Sequence, residues 1–142
     1  MKSTVFIISL FISYVSFGQD WTFTLADAKT QAAKEQKNIL LVFSGSDWCA
    51  PCIKLDDQVW QTAEFKTHAK EKLVLLKADF PKRKKNLLPQ VQQDKNNALA
   101  EKYNSNGYFP FVVLLNSRGE VINQLGYKNV TATEYIKAIY EN

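Results

Sequence analysis

The sequence predicts an α/β domain with a mixed central sheet and helices on both faces. Three observations lead there. Short apolar stretches at Ile39–Phe43, Leu73–Ala78 and Phe111–Leu115, the second interrupted by Lys77, have the length of buried strands, and the continuous run Ile39–Phe43 has the signature of one covered on both faces. Longer stretches with helical periodicity separate the first two runs and recur before the third. A turn signal, Asn116-Ser117-Arg118-Gly119, follows the third run and predicts a hairpin.

The elements follow in order. Asp20–Phe23 fits a short edge strand. Thr24 is placed to cap a helix over Leu25–Lys37, with Leu25, Ala28, Ala32 and Ala33 on one side, and Asn38 breaks it. The strand Ile39–Phe43 and the turn Ser44–Asp47 lead to two cysteines. Ile53–Lys70 is mostly helical in pattern, and Leu73–Ala78 is the second buried strand. Pro81–Asn96 is expected to be an exposed loop or loose excursion, because it opens with Pro-Lys-Arg-Lys-Lys and stays polar. Asn97–Tyr103 is a helix. Phe111–Leu115 and Glu120–Leu125 form the hairpin, and Thr131 or Thr133 caps a last helix ending near Tyr140. The order is β-α-β-α-β-α-β-β-α, without internal repeats.

A chain of 142 residues, 46% of them apolar, is long enough to bury a core and is not a disordered composition. The formal charge of +4 implies a mildly basic surface. Nucleic acid is not an expected partner, since no aromatic platform or known motif accompanies the basic residues.

Residues 1–18 have the pattern of a signal peptide. Lys2 precedes the apolar stretch Val5–Phe17, which is short for a membrane span, and Ser16-Phe17-Gly18 suits cleavage before Gln19. The mature domain is then 19–142, and loss of Lys2 lowers its charge by one, from +4 to +3. No cysteine lies near the cut, so neither a lipid anchor nor another stable membrane anchor is expected. The expected location is periplasmic or secreted, where a thiol pair can stay oxidised.

The chemistry rests on Ser46–Trp60, SDWCAPCIKLDDQVW, which holds the only two cysteines. Cys49 and Cys52 follow a buried strand and open a helix. Free N–H groups and the positive end of the helix dipole stabilise a thiolate there. Cys49, at the helix mouth, is expected to be the exposed attacking sulfur. Cys52, one turn in, is expected to be more buried and to resolve a mixed disulfide formed at Cys49. Pro51 suits a helix start because no N–H is needed there. Trp48 is expected to flank the site with a flat apolar surface. Other readings are weaker. A structural zinc site needs about four ligands, and two cysteines with the distant His68 fall short, so no metal is expected. A structural disulfide across two residues closes too small a loop to stabilise much. His68 fits a surface helix position.

Trp48-Cys49-Ala50-Pro51-Cys52, between a strand and a helix, resembles the active site of the thioredoxin family, although Ala50 stands where glycine is usual. Gly107-Tyr108-Phe109-Pro110, just before the third apolar strand, resembles the family's cis-proline segment. Gly119-Glu120-Val121 and Gly126 are similar to its closing strands. The resemblance covers nearly all of the chain after the signal and implies a thioredoxin fold. It implies that Pro110, preceded by Phe109, sits beside the cysteines and holds an extended segment to which a substrate strand pairs. Ala78-Asp79-Phe80-Pro81, followed by a basic and polar insert over 82–96, resembles exported members of the family.

The chain also departs from the family. A buried aspartate six residues before the first cysteine is usual, and here that position is Phe43. Lys77 matches the lysine that commonly partners this aspartate, so Lys77 and Asp47 are candidates for proton transfer or electrostatic support, with Asp56 also near the motif. Phe111 replaces the threonine common after the proline, which implies a more apolar site.

The resemblance implies a thiol–disulfide oxidoreductase acting on protein thiols and disulfides, with reduction as the expected direction. No cofactor is expected beyond a redox-active Cys49–Cys52 disulfide, and a reductase would need an upstream electron donor. A monomer is expected, because no separate dimerisation segment is present. The alternative is a non-catalytic peptide-binding adaptor or redox sensor on the same fold. Lys82-Arg83-Lys84-Lys85 is either a solvated loop or a contact for an acidic partner or lipid head groups.

Overall fold

The computed structural model describes residues 19–141, and the N-terminal segment read as a signal peptide lies outside them. Strands β1 (Trp21–Thr22), β2 (Asn38–Ser44), β3 (Leu73–Asp79), β4 (Phe111–Leu115) and β5 (Val121–Leu125) form one sheet in the order β1-β3-β2-β4-β5. β1, β3 and β2 run parallel, and β4 and β5 run antiparallel to their neighbours. This is the expected mixed sheet.

The helices are α1 (Leu25–Glu35), α2 (Ala50–Leu55), α3 (Ala63–Lys72), α4 (Gln90–Tyr103) and α5 (Ala132–Tyr140). The side-chain alternation of the strands sorts them to two faces. Ile39, Leu41 and Phe43 pack with Ala28 and Ala32 of α1 and with Leu99 and Tyr103 of α4. Leu40 and Val42 face the opposite core, which holds Leu55 of α2, Phe65 of α3 and Tyr135 and Ile139 of α5. In that core the Trp60 ring lies 4.6 Å from Phe65 and 5.5 Å from Tyr135 between centroids. Burying each such side chain contributes about 1.5–3 kcal/mol.

Thr24 caps α1 as expected, its hydroxyl accepting the Asp27 N–H at 3.1 Å. The helix ends at Glu35, two residues before the expected Lys37, because Gln36 turns left-handed at φ 55°. Thr131 caps α5 in a reciprocal box with Glu134. The long helix expected over Ile53–Lys70 is broken. After α2 the chain widens into one π turn, Asp56–Trp60, closed by the Gln61 N–H on the Asp56 carbonyl at 2.9 Å. Thr62 then caps α3 by accepting the Phe65 N–H at 3.2 Å.

The expected loose excursion over Pro81–Asn96 is a second correction. Lys84–Asn86 form one 3₁₀ turn, and α4 starts at Gln90, seven residues before the expected Asn97. Its first turns are polar, and they close on themselves through the i,i+4 pairs Gln90–Asp94 at 2.8 Å and Gln92–Asn96 at 2.9 Å. Asn96 is 1% exposed and donates to the Asp79 carbonyl at 2.8 Å, so a polar residue docks this helix against the end of β3. At the hairpin, Gly119 takes φ 84°, and the buried Tyr103 hydroxyl donates to its carbonyl at 2.7 Å.

Candidate active site

The cysteines lie at the C-terminal end of β2, where loops of parallel sheets commonly build sites. The chain leaves Ser44 and turns tightly, with the N–H groups of Trp48 and Cys49 donating to the Gly45 carbonyl at 3.2 and 2.9 Å. Cys49 is itself the N-cap of α2. Its backbone is extended, and its sulfur accepts the Cys52 N–H at 3.3 Å. Pro51 occupies the first turn. A helix end that ordinarily uses a hydroxyl or carboxylate cap here uses sulfur.

Cys49 and Cys52 are joined by a disulfide, with their Cα atoms 5.2 Å apart. Each cysteine is 4% exposed, so the expected contrast between an open Cys49 and a covered Cys52 is absent from this oxidised state. The reason is local: the disulfide turns Cys49 Sγ towards Cys52, and the Cys52 N–H lies against the same sulfur. The Gly45 N–H points at Cys52 Sγ at 3.5 Å. Glycine is required at 45 because a Cβ there would lie 2.6 Å from Trp48 Nε1. The indole therefore lies directly over this glycine.

The last residue of β3 and the segment after it hold the loop from outside. The Asp79 carboxylate accepts the Ser46 N–H at 2.9 Å, the Ser46 hydroxyl at 2.6 Å and the Phe80 N–H at 3.0 Å. Trp48 Nε1 donates to the Phe80 carbonyl at 2.7 Å. Asp47 accepts the backbone N–H groups of Lys82 and Arg83 at 2.9 and 3.0 Å and the Asn86 amide at 2.9 Å. The Lys82 backbone bond is the main reason its carboxyl titrates below the ordinary range; desolvation opposes it, and bonds from Asn86 and Arg83 and the Arg83 charge add to the lowering.

The opposite wall comes from the approach to β4. The Phe109–Pro110 peptide is cis and Pro110 is buried. Phe111 pairs with Phe43 across the β2–β4 ladder, which brings Pro110 to the end of the sheet where β2 hands over to the cysteine loop. The Phe109 ring lies 5.5 Å from Trp48 and 5.4 Å from Phe80. Phe43 continues the aromatic series, 6.5 Å from Phe80 and 6.3 Å from Phe111. The place where a carboxylate is common is thus filled by a fully buried ring packed among rings.

Trp48, Phe109, Pro110 and Asp47 therefore assemble around the cysteine loop. Lys77 lies elsewhere. It pairs with Val42, whereas Phe43 pairs with Ala78, so Lys77 and Phe43 point to opposite faces of the sheet. Its ammonium sits 4.4 Å from the Trp21 ring centroid. Asp56 belongs to the π turn, and Gln61 donates to its carboxylate at 3.3 Å. His68 bonds to the Tyr140 hydroxyl at 2.7 Å between α3 and α5. Among the described residues no group of acidic, histidine or cysteine side chains is arranged to hold a metal ion. Gly45, Ser46, Asp79 and Asn96 are structural parts of the site that carried no assigned role in the sequence. Asp79 was visible within Asp-Phe-Pro, whereas a single asparagine in a polar helix offers no signal.

Comparison with known proteins gives the same arrangement a family. Residues 20–117 match the thioredoxin-like family. The disulfide bond reductase DsbH of Chlamydia pneumoniae is 35% identical over 114 residues, covering 80% of this chain and 67% of that protein. The thioredoxin-related protein DsbJ of the same organism is 29% identical over 108 residues, covering 75% of this chain and 30% of that protein. A solved structure of a DsbH oxidoreductase superposes with a TM-score of 0.78 at 32% identity, covering 86% of this chain and 82% of that one. A thioredoxin from Thermus thermophilus shares the fold at 15% identity, with a TM-score of 0.63 over 84% of this chain and 82% of that one. With a sulfur-capped helix after β2, a cis-proline entering β4 and a family match over most of its length, the chain belongs to the thioredoxin-like family.

Proposed function

We propose that the chain is a thiol–disulfide oxidoreductase that reduces disulfides in partner proteins outside the cytoplasm. The observation that carries this reading is the Cys49–Cys52 disulfide at the first turn of α2, with the Cys52 N–H directed at Cys49 Sγ at 3.3 Å. In the reduced protein that N–H and the helix dipole favour a thiolate at Cys49. The named activity of the relative DsbH supports the reducing direction. The apolar run after Lys2 supports export.

The reaction starts from the dithiol. The Cys49 thiolate attacks one sulfur of the partner's disulfide, that S–S bond breaks, and the leaving thiolate takes a proton. Cys52, as thiolate, then attacks Cys49 Sγ. The mixed disulfide breaks, the partner leaves with two thiols, and Cys49–Cys52 closes. Two electrons have moved to the partner, and an upstream dithiol protein must return them. Trp48 and Phe109 form the apolar wall against which the partner lies, and the extended segment at Pro110 offers backbone for pairing.

Two measurements on residues 19–142 test this. The equilibrium potential of the pair against glutathione is expected near that of thioredoxin, about −270 mV, and a value near −120 mV would make the protein an oxidant instead. A Cys52→Ser variant is expected to accumulate mixed disulfides with partner proteins. Equal partner binding with both cysteines changed to serine, and no trapping, would establish the adaptor reading.

A further inference from the structure

The four consecutive cations Lys82, Arg83, Lys84 and Lys85 are all exposed. Among the described residues none of them is in a salt bridge. Two carboxylates at the start of the insert hold backbone and neutral polar groups. Asp47 accepts the Lys82 and Arg83 backbone and Asn86, and Asp79 accepts Ser46 and Phe80. Asp47 is near enough for its charge to act on Arg83, but no side-chain ion pair forms, and four cations beside that carboxylate leave the start of the insert net positive.

Its position is fixed. The Asp47 clamp ties the start of the insert to the residue two before Cys49, and the 3₁₀ turn Lys84–Asn86 follows at once. The Lys82 ammonium lies 3.8 Å from the centroid of the ring of Trp48, the residue immediately before Cys49. A partner whose disulfide reaches Cys49 must bring its flanking residues alongside this indole. There it meets the two neighbours of Trp48, Phe109 and Lys82, and the other three cations follow Lys82 directly in the chain.

We propose that Lys82–Lys85 form a cationic ledge that selects partner proteins carrying acidic side chains next to their reactive cysteine. The proposal rests on the oxidoreductase reading and specifies its substrate class. Charge of this kind acts on encounter rate and partner choice more than on chemistry at sulfur. A run of four cations also suits an anionic membrane. The placement favours protein, because lipid bound to the ledge would cover the entrance to Cys49.

The test uses three short peptides, each with one internal disulfide flanked by aspartate, serine or lysine. Second-order rate constants are measured with the reduced protein at low and high salt. The aspartate peptide is expected to react about tenfold faster than the lysine peptide at low salt, with the ratio collapsing at high salt. In the triple variant R83E/K84E/K85E the aspartate-to-serine ratio is expected to fall below one. Affinities of the same peptides with serine in place of cysteine, measured on the oxidised protein, form a separate readout. Exchange absent with every peptide sinks the oxidoreductase reading and leaves these affinities to decide the ledge. Equal affinities and equal rates for aspartate and lysine peptides overturn the ledge, and sedimentation with phosphatidylserine vesicles alongside that equality assigns the charge to lipid.

Discussion

Asp79 grips Ser46 twice, through its N–H at 2.9 Å and its hydroxyl at 2.6 Å, and so the end of β3 sets the path of the loop that carries the cysteines. Asn96 in turn holds the Asp79 carbonyl at 2.8 Å from α4. The site is thus braced by a chain of polar contacts that begins in a helix on one face of the sheet. Asp79→Ala removes the acceptor for Ser46 and Phe80 together and is expected to lower stability by about 1–3 kcal/mol. Asp79→Asn, which keeps one carbonyl oxygen, should lose less. Urea unfolding of the oxidised proteins checks the order, and an alanine variant as stable as the parent would show that the brace is ornamental.

Gly45→Ala forces the Trp48 indole off its seat, because the added Cβ would lie 2.6 Å from Nε1. The Nε1–H bond to the Phe80 carbonyl is then broken and the Lys82 contact displaced. The expected outcome is a change in tryptophan emission together with a disulfide-exchange rate lower by roughly 10- to 100-fold. Unchanged emission and rate would mean that the loop absorbs a methyl group at no cost.

Asp47 governs whether the insert stays clamped as pH falls. Its carboxyl titrates below its ordinary value of 3.8, mainly because it accepts the Lys82 N–H. A depressed folded value means that the clamp is fully set above 3.8 and released only as pH falls through the lower folded value. Amide exchange at Lys82 and Arg83 should therefore stay protected through mildly acidic pH and rise only below the ordinary carboxylate range. In Asp47→Ala the protection should be lost at every pH.

His68 gives a second pH signature, remote from the cysteines. Burial is the first cause that lowers its value below 6.5, with Lys72 adding and Glu71 opposing. The neutral ring is favoured in the fold, so the unfolded chain takes up protons first on acidification. Stability present above 6.5 is lost as pH falls towards the depressed value. A ring-proton NMR titration with a midpoint under 6.5, and a flatter pH–stability profile in His68→Phe, are the expected results. A midpoint at or above 6.5 would contradict the packing of His68 against Tyr140.

The succession of the main strands along the chain and the cysteine helix were legible in the sequence because apolar runs and a Cys-Ala-Pro-Cys spacing are local signals. Pro110 was legible only through family resemblance, since its meaning depends on pairing between Phe111 and Phe43, residues far apart in the chain. The start of α4 was not legible. Its first turns carry glutamine and asparagine where an apolar stripe is the usual sign, and the energy that fixes them is hydrogen bonding by the buried Asn96. The π turn at Asp56–Trp60 was hidden for a similar reason, because widening a helix by one residue barely disturbs its apolar period. The seat of Trp48 over Gly45 is a contact that residue identities alone do not reveal.

The Asp47 clamp holds Lys82 and Arg83 by their backbone amides, and it touches neither side chain. Any residue except proline offers the same N–H at those two places. Apart from Lys82, whose ammonium packs on Trp48, the side chains displayed are thereby separated from the mount: the mount is constant while they are free to vary. Related chains are then able to exchange one client set for another by rewriting those side chains, leaving the cysteines, the proline and the brace beneath them unchanged.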